Sequence, residues 1–257
     1  MITRLFNYRD LLFVFIWREF AVRYRQAVLG VLWAVLQPLS MMFLFVFVFV
    51  YVLGYKVSEY PAHLFFLSGT ILWGFFNGAV GFGINSLTSH YQIITKIYFP
   101  REIIPISGVI LYLIDLFISF IIFLIFILLS DVKLTLSFLW VPVLVVLLFV
   151  FSVSIVLLFS ALNVYYRDVK LLSGFVLQLW FFATPVFYSI DKVSMKMKLL
   201  LFLNPLTFIV ENFRRVTLEG RGIVLWQLAL VAGVIILFYI FSYNIFVKLE
   251  KRFADVI

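Results

Sequence analysis

The chain has 257 residues, 65% of them hydrophobic and only 12% charged, and its mean hydropathy of +1.18 exceeds what a water-soluble globule can bury. Cysteine is absent, which excludes disulfides, thiolate metal sites and thiol nucleophiles. The net charge of +8 sits at the ends of apolar runs and not in one solvated patch, so membrane lipids with anionic headgroups are the expected partner and nucleic acid is not.

At the N-terminus, Arg4, Arg9, Asp10, Arg18 and Glu19 interrupt the apolar residues and no small-residue cleavage site follows, so no cleavable leader is expected. Residues 12–27 read as an amphipathic helix. Leu12, Phe13, Ile16, Trp17, Phe20, Tyr24 and Ala27 fall at 3.6-residue spacing, while Arg18 and Arg25 point away. Such a helix lies in the membrane interface or packs on a partner.

Apolar runs of about 20 residues, long enough to cross a bilayer, follow at 32–54, 64–85, 103–129, 137–162, 171–188 and 224–247. The fold class expected is an all-α integral membrane protein: an N-terminal interfacial segment over 1–31, a six-helix membrane domain over 32–250, and a tail from 251. The second run is the least greasy, with Ser68, Thr70, Asn77, Asn85 and five Gly, so one of its faces should meet protein or water. Within it Gly74 and Gly78 form a Gly-x-x-x-Gly pair, a spacing suited to close helix packing or to a hinge.

Six crossings place both termini on one side. Lys and Arg counts make that side cytoplasmic, because Arg4, Arg9, Arg18, Arg23, Arg25, Lys96, Arg101, Arg167, Lys170, Lys248, Lys251 and Arg252 gather there. The two short outer loops hold Lys56 and Lys133. Segment 189–223 carries six further basic residues and resists the rule, but its two apolar stretches, 199–203 and 206–210, are too short to span. They suit a pair of half-helices that dip into the outer leaflet, with Asn204-Pro205 as the turn.

Asp115 is the one acid well inside a long run, so it must face the interior and find a partner. It reads as a hydrogen-bonded packing residue or, alternatively, as a proton relay. Glu211 with Arg214 and Arg215 is helix-spaced and reads as a local ion pair or as an outer gate. Thirty-three Phe, thirteen Tyr and six Trp form interfacial belts and lipid-facing surface. Some of them can also stack on the apolar C–H faces of sugar rings. The expected channel and substrate contacts are Trp33, Phe43, Phe47 and Tyr51 on the first crossing and Trp180, Phe181 and Tyr188 on the fifth.

Four segments in order carry a family resemblance. Arg23-Tyr24-Arg25-Gln26-Ala27-Val28-Leu29-Gly30, running on to Gln37-Pro38-Leu39, resembles the segment leading into the first crossing of ABC type-2 transporter permeases. The branch it most resembles exports polysaccharides such as O-antigen, capsule and teichoic acid. Tyr98-Phe99-Pro100-Arg101-Glu102-Ile103-Ile104-Pro105 resembles that family's third-crossing motif, and Asn163-Val164-Tyr165-Tyr166-Arg167-Asp168-Val169 its second cytoplasmic loop. Asn204-Pro205-Leu206 with Arg214 and Gly220 resembles the external re-entrant region.

The resemblance implies a homodimer of this chain, two copies of a soluble ATPase, a lipid-linked polysaccharide substrate and the cytoplasmic (inner) membrane as location. No Gly-x-x-x-x-Gly-Lys-Ser/Thr phosphate loop occurs, so no catalytic residue, cofactor or metal is expected in this chain, and ATP with Mg belongs to the motor. Segment 86–100 is the expected motor contact, with Asn85, Ser86, Thr88 and Ser89 as helix starters and Ile93, Ile94, Ile97 and Tyr98 as an apolar face. The alternative is a plain surface linker. The coupling set expected is Ser89, His90, Tyr91, Ile94, Lys96 and Tyr98, with Arg25, Arg167 and Asp168 from neighbouring segments. Three other functions compete: export of drugs or other small molecules, a proton-driven carrier using Asp115, and a membrane glycosyltransferase or acyltransferase. The last needs converging acid/base groups, whereas His63 and His90 are expected in loops on opposite sides.

Overall fold

A computed structural model describes residues 2–25, 29–54, 60–130 and 132–253, and every element among them is helical. Gln26, Ala27 and Val28 of the N-terminal segment, Lys56 of the first outer loop and the last four residues of the tail lie outside the described residues. In chain order the helices are α1 (Ile2–Asn7), α2 (Arg9–Phe20), α3 (Leu32–Phe45), α4 (Ala62–Ser89), α5 (Tyr91–Ile94), α6 (Ile103–Leu128), α7 (Val141–Tyr165), α8 (Asp168–Phe182), α9 (Met195–Phe202), α10 (Pro205–Thr217) and α11 (Leu225–Glu250). Helix α2 runs on as a π-turn over Ala21–Arg25, and α3 as π-helix over Val46–Val52. Gly30, at φ 48°, makes the turn into α3.

Among the described residues, five helices are long and apolar enough to cross a membrane: Leu32–Val52, Ala62–Ser89, Ile103–Leu128, Leu136–Tyr165 and Leu225–Glu250. They match five of the six expected crossings. The fifth expected crossing is realised as α8, whose 15 residues rise about 22 Å against a hydrocarbon core of about 30 Å. Its chain then breaks at Ala183–Ser189, where Pro185 removes a helical donor. Beyond it α9 and α10 meet at Asn204-Pro205. The Asn204 side chain caps α10 by accepting from the Leu206 N–H at 3.1 Å, and Pro205 occupies its first turn.

Helix α4 is the axle of the bundle. In its apolar stretch 72% of the residues are buried within the chain, against 6% for α3. Lipid is as apolar as Leu, so burial alone gives α4 no reason to sit inside, and its neighbours are held by close fit. A Cβ on Gly78 would lie 2.1 Å from the Tyr112 ring of α6, and one on Gly83 would lie 2.4 Å from Val156 of α7. Both glycines therefore serve packing. Ser86, Thr88 and Asn85 return their side-chain hydrogen bonds to carbonyls three or four residues back, so they close the last turns of α4 and start no new helix, contrary to expectation.

The two ends of the bundle are pinned separately. At one end Asn163 of α7 donates to the Ile84 carbonyl of α4 at 3.0 Å, Tyr165 donates to the Leu249 carbonyl of α11 at 3.1 Å, and the Arg101 N–H donates to Glu250 at 2.9 Å. Helix α2 packs at this same end, so both ends of the described chain share it. Here the buried Glu102 carboxylate has no hydrogen-bond partner among the described residues and meets Arg4 at 3.9 Å. Burial, and then the neighbouring Glu250, push its pKa up.

Two stability outcomes follow from this packing. Gly83→Leu forces about 1–3 kcal/mol or more of overpacking and should lower the melting temperature in detergent. Gly233→Leu, with nothing within 4 Å of its Cβ, should not. Because Glu102 holds its proton more tightly when folded, the wild type should gain stability as pH falls toward the ordinary carboxylate range. It should lose that increment as pH rises through the folded value. Glu102→Gln should flatten the dependence, read as melting temperature against pH.

Candidate functional site

Helices α3, α4, α6 and α8 leave between them a cavity of about 570 Å³. Its wall is built in the middle of the spans. Gln37 comes from α3, Trp73 and Asn77 from α4, Tyr112 and Asp115 from α6, and Gln178 and Phe181 from α8. Arg23 reaches in from the π-turn that ends α2, pairing with Asp115 at 2.8 Å and lying 4.2 Å over the Tyr112 ring. The Tyr24 hydroxyl donates to the other Asp115 oxygen, and burial together with that bond pushes the Tyr24 pKa up.

Asp115 is thus the hydrogen-bonded packing residue of the first sequence reading, anchoring α2 to α6. Its charged partner, Arg23, comes from 92 positions earlier in the chain. Helix α2 turns toward the rest of the chain a face other than its most apolar one. Phe15, Glu19 and Tyr24 go inward against α4 and α6, while Phe13, Val14 and Trp17 stay exposed. Glu19 and Arg23 set this facing, since both find their partners on the chain side.

Glu19 meets the buried His90, whose Nε2 lies 2.9 Å from the Glu19 Oε1 and whose Nδ1 lies 2.7 Å from the Ser86 carbonyl. A carbonyl only accepts, so Nδ1 is the donor to Ser86. Phe15 packs edge-on to His90 at 6.0 Å. His90 and His63 stand at opposite ends of the single helix α4, consistent with the separation expected of them, although on or beside a helix and not in loops.

The rest of the expected coupling set lies around this end with mixed exposure. Ile94 and Phe99 turn into the core, whereas Tyr91, Lys96 and Ile97 face outward and Tyr98 is 94% exposed. The expected apolar face of segment 86–100 is therefore split, because α5 is one turn long and cannot keep four residues on one side. Ser89, Arg25, Arg167 and Asp168 are exposed. Helix C-termini of α4, α7 and α11 and N-termini of α6 and α8 meet here.

At the other end Arg214 of α10 spends every donor. Its Nε donates to the Ser68 hydroxyl at 3.2 Å, Nη1 to the Pro185 carbonyl at 2.6 Å and to Glu211 at 3.0 Å, and Nη2 to the carbonyls of Val186 at 2.7 Å and Phe65 at 3.3 Å. The guanidinium also stacks 3.7 Å over Phe65. The local ion pair expected of Glu211 and Arg214 is present, inside a staple that joins α10, α4 and the turn after α8. A Cβ on Gly69 would lie 2.7 Å from the Val186 carbonyl and 2.8 Å from Arg214, so this approach requires glycine.

The expected channel residues divide. Trp33, Phe43, Phe47 and Tyr51 project from the outer face of α3, all more than half exposed. Phe181 lines the cavity beside Trp73 at 5.3 Å. Trp180 packs edge-on to Phe76 at 5.3 Å and near Phe151, on the opposite side of α8, and Tyr188 donates to the Phe182 carbonyl at 3.3 Å. Sequence reading missed Gln37, Gln178 and Arg23 as cavity residues. Their signal was a polar side chain in or beside an apolar run.

Residues 10–218 match the family model described as ABC-2 type transporter. The chain belongs to the ABC-2 type transporter family. Relatives align end to end. An O-antigen export system permease protein RfbA of Klebsiella pneumoniae is 28% identical over 250 residues, covering 96% of this chain and 95% of its own. A protein of the same name from Myxococcus xanthus is 28% identical over 257 residues, covering 99% and 98%. The ABC-2 chain is thus a multi-pass membrane permease.

Removing the Arg214 guanidinium leaves Glu211 and three carbonyls unpaired in the interior. Arg214→Gln should cost on the order of 3–5 kcal/mol, the penalty for breaking a buried pair, and Gly69→Val should act in the same direction. Loss of correctly inserted protein in detergent size-exclusion profiles would report it, whereas Arg221→Gln, an exposed neighbour, should be silent.

Proposed function

We propose that this chain is the permease subunit of an ATP-driven exporter that moves lipid-linked polysaccharide, O-antigen in particular, across the inner membrane. Two copies form the channel and two soluble ATPase subunits drive it. The observation that carries the reading is the end-to-end likeness to relatives named O-antigen export system permeases. It agrees with a chain that has a polar interior cavity and no phosphate loop.

In this reading α8 completes the sixth crossing with the turn after it, and α9 and α10 dip into the outer leaflet. The exposed row Phe13, Val14 and Trp17 of α2 lies in the membrane interface. The row Trp33, Phe43, Phe47 and Tyr51 on α3 faces the second copy and offers rings to passing sugars. The end bearing Tyr98, Lys96, Arg167, Asp168 and Arg25 is cytoplasmic and receives the motor. ATP with Mg is bound there by the motor alone, and its hydrolysis shifts the permease between two conformations that the ATP-bound motor favours unequally.

Export of drugs or other small molecules is the second reading, since the family name itself fixes no substrate. Deletion of the gene should abolish surface polysaccharide and leave drug sensitivity unchanged, and the reverse phenotype would favour the second reading. The purified chain in liposomes should hydrolyse no ATP above the lipid background until its motor is added. Tyr98→Ala should leave membrane abundance unaltered and cut polymer export about tenfold, measured as surface polysaccharide per cell.

A further inference from the structure

We infer that the cavity between α3, α4, α6 and α8 is a binding subsite for one or two uncharged sugar rings; this rests on the polysaccharide reading above and deepens it. Three properties of the wall select that chemistry. The first is charge. Arg23 and Asp115 are the ionised residues lining the cavity and they neutralise each other at 2.8 Å, so an anion drawn to the guanidinium meets the carboxylate beside it.

The second property is unspent hydrogen bonding. Among the described residues the Nη1 of Arg23 is buried without a partner, and Gln37, Asn77 and Gln178 make no side-chain hydrogen bond. A lipid tail would leave these groups unpaired, at a cost of about 1–3 kcal/mol for each one buried. Carboxamides both donate and accept, which matches hydroxyl groups that do the same.

The third is shape. Trp73 and Phe181 line the wall with ring centroids 5.3 Å apart, and aromatic rings can stack on the C–H side of a sugar ring. Room for the ring comes from Gly74 on α4 and Gly174 on α8, each with nothing within 4 Å of where its Cβ would stand. Gly78, one turn from Gly74, is spent on packing against Tyr112, so the open space beside Gly74 and Gly174 is not a general looseness of the bundle. A volume of about 570 Å³ falls within the usual span for small-ligand sites, about 300–1,000 Å³.

The test uses the full chain with its ATPase in lipid nanodiscs, with mannobiose and maltotriose as neutral probes and inorganic pyrophosphate as the anionic one. Saturation-transfer NMR should show contact at sugar C–H protons in the wild type and in Gly233→Trp, whose open space lies outside the cavity. Gly74→Trp, which fills the cavity, and the double variant Asn77→Leu, Gln178→Leu should each weaken binding at least tenfold. Should Gly74→Trp fail to fold, the double variant, which adds no side-chain heavy atom, decides alone. Absence of sugar contact in the wild type, contact unchanged in the double variant, or displacement of sugar by pyrophosphate overturns the subsite. Cell assays separate the two claims. Surface polymer that persists without the gene sinks the transport reading, whereas export that needs the gene but ignores both cavity variants sinks the subsite alone.

Discussion

A helix surrounded by lipid gains nothing by exchanging one apolar contact for another, and this constraint shapes the whole chain. Association must come from closer fit than lipid can offer, or from polar groups that lipid cannot satisfy. Helix α4 uses both. Gly78 and Gly83 bring Tyr112 and Val156 to distances a side chain would forbid, and Gly69 admits the Val186 carbonyl and the Arg214 guanidinium. The outer helices lack such features along their exposed faces, so α3 and α8 leave large apolar side chains pointing outward.

Polar groups in turn are placed where elements of low sequence proximity must be joined. Arg214 binds carbonyls of two other segments and Asp115 binds two residues of the N-terminal arm. Glu19 and His90 pair across 71 positions. Each removes a charge or donor from a setting where it would otherwise be costly. Short segments, α2, α10 and the turn after α8, are among those joined in this way.

The crossings were legible because hydropathy is a local property, and five of the expected spans match helices to within a few residues. The turn at Asn204-Pro205 was legible for a similar reason, as proline and a capping asparagine act on their immediate neighbours. What could not be read was pairing at a distance. Arg23 counted only as one of many basic residues in the N-terminal segment, and nothing in the apolar run around Asp115 indicates which side chain meets it. Periodicity shows the apolar side of α2 but not the side by which it docks, because that side is fixed by the distant partners of Glu19 and Arg23. Segment 86–100 was read as one amphipathic helix, but α4 runs into it as far as Ser89, which leaves α5 a single turn.

The N-terminal arm links the two regions that transport would have to connect. Glu19 touches His90, at the junction of α4 with the short helix expected to meet the motor. One turn further on, Arg23 touches Asp115 in the wall of the cavity. Residues four apart on a helix share a face, so a displacement of His90 that keeps its pair with Glu19 carries Arg23 with it. Arg23 cannot shift without giving up either its ion pair with Asp115 or its stack on Tyr112.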